Sequence, residues 1–175
     1  MPGISRKKSR RSARKPKPQP VRQFLRHTVA TLAYRAAKAM HDAPPSFADF
    51  RIGDKSRTPA QIVAHLGDIF DWALSLAKGK HLWRESEPLA WDASVQRFFT
   101  SLGDFDNYLA SVKKLGFPAE MLFQGPVADA LTHVGQLAML RRLAGAPIKG
   151  ENYFRAEIVA GRVGPDQALP AFEFD

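Results

Sequence analysis

The chain has 175 residues, 45% of them hydrophobic, a net charge of +9 and no cysteine. That length suits one domain with a sizeable core, and the lack of thiols excludes disulfides and thiolate metal sites. Eight positive charges (Arg6, Lys7, Lys8, Arg10, Arg11, Arg14, Lys15 and Lys17) fall in the first twenty residues, where there is no acid, so residues 21–175 keep only +1 of the +9.

Residues 1–20 are a charge run with prolines and almost nothing apolar, and are predicted to be a disordered basic tail. Residues 21–175 are predicted to form one domain. The segment behind the tail carries Arg22, Arg26, Arg35 and Lys38, which argues against a secretory signal, and no run reaches membrane-spanning length. The expectation is a cytoplasmic protein without a membrane partner. Nucleic acid is expected as a partner only through the tail, since the near-neutral remainder does not suit groove recognition. The tail fits equally a solvated extension without a role.

The first helix is predicted over residues 21–41, with Val21, Leu25, Leu32, Ala36 and Met40 on one face and Pro44-Pro45 ending it. The connection that follows holds Phe47, Phe50 and Ile52, all expected to pack on the core. Thr58-Pro59-Ala60-Gln61 reads as a capping box opening a second helix that stops at Gly79. Its stripe of Ile62, His65, Ile69, Trp72 and Leu76 is apolar apart from the histidine. A third helix is predicted from Asp92, as its cap, to Gly116, with Val95, Phe98, Leu102, Phe105, Leu109 and Val112 in register.

A fourth helix is predicted over 124–147, opened by Gly125-Pro126 and closed by Gly145 and Pro147. Asp129, His133, Gln136 and Leu140 share a narrow stripe on it, flanked by Leu137 and Leu143, on the face expected to be buried. Residues 148–175, rich in glycine and proline, are predicted to be mostly irregular, with a short helix near Tyr153. The fold class is therefore all-α, a four-helix bundle.

Of five histidines, only His65 and His133 fall on apolar stripes. With Asp129 they offer two imidazoles and a carboxylate from two helices, a set that can hold a divalent ion with coordination positions left open. An open position is the catalytic pattern. Gln136 and Asp68, each three residues after a histidine, are the candidate hydrogen-bond partners of the two rings. The plainer alternative is an Asp129–His133 ion pair with His65 as a hydrogen-bonded core residue. Gly135 is read as a mark of close helix packing, and Trp72, Trp83 and Trp91 as packing residues.

Thr58-Pro59 leading into Ala64-His65-Leu66, followed by a late helix with His133-Val134-Gly135-Gln136, resembles the DinB-like superfamily across nearly all of residues 21–147. That family is similar to thiol-dependent transferases and mycothiol-dependent isomerases sharing its bundle. The resemblance implies an up-down-down-up arrangement and a metal held by three histidines, one from helix 2 and two, four residues apart, from helix 4. His65 and His133 match two of them, and Asp129 stands where the third histidine is usual. The implied cofactor is zinc or nickel, with iron or manganese as alternatives. The implied function is a metal-dependent hydrolase or thiol-dependent transferase acting on a small molecule. A low-molecular-weight thiol is its implied co-substrate, and a homodimer is its considered assembly. The alternative is a non-catalytic metal-binding or structural bundle.

Overall fold

A computed structural model describes residues 20–174; the basic tail lies outside them but for Pro20. The fold is all-α. Four long helical segments carry it: α1 (Pro20–Met40), α2 (Pro59–Ala77), α3 (Trp91–Ser111) and α5 (Ala128–Leu143), the last preceded by a single turn, α4 (Ala119–Leu122). The packing forms a ring in which α1 touches α3, α3 touches α2, α2 touches α5 and α5 returns to α1.

Local sequence explains each element. α1 is alanine-rich on its buried side (Ala30, Ala33, Ala36, Ala37, Ala39), which lets neighbours approach closely, while Leu25, Leu32 and Met40 fill the centre. Val21, placed on the same stripe, is exposed instead, because the stripe outruns its neighbours at the helix start. The helix stops before Asp42, whose positive φ of 50° takes the left-handed turn usually given to glycine.

α2 opens on the capping box: Thr58 Oγ1 accepts from the Gln61 amide at 3.2 Å and Gln61 Oε1 accepts from the Thr58 amide at 2.9 Å. α2 packs most extensively on α3, where Phe70 meets Phe98 and Phe105 at ring separations of 6.0 and 5.9 Å. Of the connection before α2, Phe47 is fully buried and Phe50 half-buried, but Ile52 is exposed.

Three helix boundaries differ from expectation. α3 ends at Ser111, because Val112 turns extended (φ −67°, ψ 142°) and gives its carbonyl to Arg22. The chain then passes close to the end of α2: a Cβ on Gly116 would lie 2.1 Å from the Gly79 nitrogen, so only glycine fits there. α3 also begins at Trp91 rather than being capped by Asp92, which lies in its first turn.

The last helix starts earlier than Gly125-Pro126 suggests. Helix begins at Ala119 behind Pro118, and Pro126 is carried inside a π-helical turn, Phe123–Val127, that runs into α5. Proline has no N–H to give to the carbonyl four residues back and its ring crowds that carbonyl. The wider π turn absorbs both defects without breaking the rod.

Residues 148–174 are mostly irregular, with a short 3₁₀ turn at Tyr153–Arg155. Its ends are clasped by a two-residue antiparallel pairing of β1 (Gly150–Glu151) with β2 (Glu173–Phe174). Lys38 of α1 joins the clasp, bridging Glu151 and Glu173 at 2.8 Å each, and Tyr34 donates to Glu151 at 2.6 Å. At the far end of α5, buried Arg141 donates to the carbonyls of Ala146 (2.8 Å), His41 (2.9 Å) and Asp42 (3.3 Å). No helix among the described residues is long and apolar enough to cross a membrane.

Candidate metal centre

α2 and α5 are neighbours in the ring, so the polar positions on their facing sides meet. His65 sits at mid-α2, while Asp129 lies in the first turn of α5 and His133 one turn further on. His133 Nε2 is 3.5 Å from Asp129 Oδ1, and His65 Nε2 is 4.0 Å from Asp129 Oδ2. One donor atom from each residue falls within a sphere where all lie within 4.8 Å of one another. Donors around a tetrahedral ion at about 2.0–2.1 Å stand about 3.4 Å apart. Both carboxylate–imidazole separations are therefore longer than hydrogen bonds; that of His133 is close to the spacing around a shared ion, and that of His65 is wider.

The stripe on α5 is not the middle of its buried face. Ala130, Val134, Leu137 and Arg141 hold that position, and Asp129, His133 and Gln136 border it. The side chains of His65 and His133 are 17% and 12% exposed, that of Asp129 49%, while Gln136 and Leu143 are exposed. A carboxylate placed at the rim keeps part of its hydration, which burial would have removed at high cost.

The two imidazoles are held differently. Gln136 Oε1 lies 2.8 Å from His133 Nδ1 and accepts its proton, leaving the Nε2 lone pair directed at the cluster. Asp68, the corresponding candidate for His65, is committed elsewhere. It is buried, pairs with Arg97 at 2.6 Å and accepts from the Ser86 amide at 2.9 Å, so it braces α3 and the linker instead. Burial pushes the His65 imidazole below the ordinary histidine range, and the charge of Arg57 pushes the same way; Asp129 and Asp68 oppose them more weakly. A neutral imidazole is the ligating form.

Aromatic rings frame the cluster. His65 meets His133 edge-to-face at 4.8 Å and Trp83 at 5.6 Å. Trp83 in turn packs on Trp72 at 5.8 Å, and Trp72 on His81 at 5.7 Å. Trp91 belongs to the far side, against Phe47. His27, His41 and His81 are exposed and stand apart from the triad. Gly135 does not serve close packing, since a Cβ there would meet nothing within 4 Å.

No family model matches the chain, and no curated protein and no solved structure matches it. Two residues beside the cluster carried no sequence signal of their own. Trp83 lies in a linker without periodicity, and Arg57 precedes a cap whose motif starts one residue later. Only the fold of the 79–90 linker back over α2 brings Trp83 to His65.

Proposed function

We propose that the chain is a metal-dependent enzyme of the DinB-like kind, a hydrolase or thiol-dependent transferase for a small molecule. The observation that carries the reading is the convergence of His65, Asp129 and His133, from two helices, with donor atoms within 4.8 Å of one another on a partly open surface. These three residues would hold a divalent ion, zinc or nickel before iron or manganese, with imidazole and carboxylate both suitable donors. When bound, such an ion supplies Lewis acidity toward water or a substrate oxygen or sulfur. Gln136 Oε1 accepts from Nδ1–H of His133, which turns Nε2 toward the cluster, and burial favours the neutral, ligating form of His65.

A second reading is supported by the 3.5 Å approach of Asp129 to His133, which suffices for an i, i+4 ion pair in a non-catalytic bundle. Zinc affinity and melting temperature separate the two in wild type, His133→Ala and Asp129→His. In the metal-site reading, wild type binds zinc and is stabilised by it through mass action. His133→Ala loses both effects, and Asp129→His tightens zinc because imidazole is the softer donor. In the ion-pair reading, Asp129→His lowers stability and zinc affinity stays negligible. Wild type that takes up no divalent metal, and whose melting EDTA leaves unchanged, ends the enzyme proposal.

A further inference from the structure

A polar cleft of about 190 Å³ opens beside the triad, with His65 and Asp68 in its wall and Arg57, Gln61, Glu85, Ser86 and Glu87 around it. Asp129 and His133 do not line it, so His65 is shared: its Nε2 is turned to Asp129, and part of its remaining surface bounds the cleft. By water's share of liquid volume, about 30 Å³, the cleft has room for about six waters, or for one molecule the size of a small amino acid.

The backbone of the cleft is fixed while its charges are free. Arg57 is anchored by the capping box that begins at Thr58, and the segment carrying Glu85 and Glu87 is pinned where the Ser86 amide donates to Asp68. Asp68 is itself paired with Arg97, which it shares with Asp71. Among the described residues, Arg57, Glu85 and Glu87 enter no ion pair or side-chain hydrogen bond, although all three border one small cleft. A purely anionic ligand would meet the unpaired carboxylates of Glu85 and Glu87 besides the paired one of Asp68, and a purely cationic one would meet the guanidinium. A molecule with separated opposite charges satisfies both sides.

We propose that this cleft is the substrate-binding subsite of the metal centre and that it takes a small zwitterion, with its acid group on Arg57 and its ammonium on Glu85 and Glu87. The inference rests on the metal reading for the chemistry that follows binding, while the cleft's selectivity is its own. Arg57 suits a carboxylate because its planar fork makes paired, charge-assisted hydrogen bonds. Arg57, Glu85 and Glu87 are all exposed, which makes the contact sensitive to salt.

The test titrates zinc-loaded and EDTA-treated full-length protein with glycine, β-alanine and γ-aminobutyrate, and with acetate and ethylamine as singly charged controls. The readouts are the Ser86 amide shift and zinc affinity. At least one zwitterion is expected to bind about tenfold more tightly than either control, the value of one charge-assisted contact. Arg57→Gln and Glu87→Gln should each remove that preference while the protein still binds zinc. Equal binding of zwitterions and controls, or a preference that survives both substitutions, overturns the proposal. Zinc uptake without any zwitterion preference overturns the subsite alone. Zwitterion binding by protein that takes up no zinc supports the subsite and sinks the metal reading instead.

Discussion

At the residue scale, Gln136 and His65 control the state of the two imidazoles. The 2.8 Å contact from Gln136 holds His133 in one tautomer, and losing such a partner typically weakens metal binding by about 10–100-fold. Gln136→Ala should therefore lower zinc affinity by about that factor while leaving the melting temperature of metal-free protein nearly unchanged. A calorimetric titration checks it, since an exposed residue without this role would change neither. His65 predicts a pH effect. Its folded-state pKa lies below the unfolded value of about 6.5, so the unfolded chain takes up the proton more readily. In metal-free protein, its contribution to stability is present above that pH and is lost as pH falls toward the folded pKa. The urea midpoint of wild type should drop over this interval more than that of His65→Gln, and parallel curves would refute the assignment. His65, Asp129, His133 and Gln136 were legible because helical periodicity alone sets which residues share a face. Asp68 was misplaced because periodicity cannot say which neighbouring helix supplies a competing partner, here Arg97.

At the element scale, α2 holds His65, and its entry is the best-defined in the fold. Both reciprocal bonds of the capping box are present, so Thr58→Ala should cost about 1 kcal/mol, read from the urea midpoint at constant slope. That cap was legible because its chemistry is local to four residues. The start of the last helix was not. A proline after a glycine reads as a beginning, yet the structure continues through it by widening one turn. Local rules rank a proline's options, and packing decides among them: Leu122, just before the π turn, and Val127, its last residue, are both fully buried and hold the rod together. The same limit applied at the end of α3, where Gly116 marks a close chain crossing and not a helix stop.

At the scale of the whole molecule, the ring of four helices buries its apolar side chains within residues 20–174, and the basic tail offers almost nothing apolar to that core. Deleting residues 1–19 should leave the melting temperature within a few degrees, and a large fall would show that the tail packs on the domain. The helix count and the all-α class were readable from four amphipathic stretches. The β1–β2 clasp was not, since its two residues pair across more than twenty others and no sequence pattern that short specifies a partner. Arg141 gives the far end of the molecule a different property. One guanidinium holds carbonyls from the close of α1 and from the chain just past α5, so neither helix end can fray while the other stays shut. Fraying normally proceeds turn by turn at each terminus on its own. Here the two ends form a single cooperative opening unit, and their amides should exchange with solvent at a common rate, set by the release of one buried cation and not by the local helix propensity of either strand of sequence.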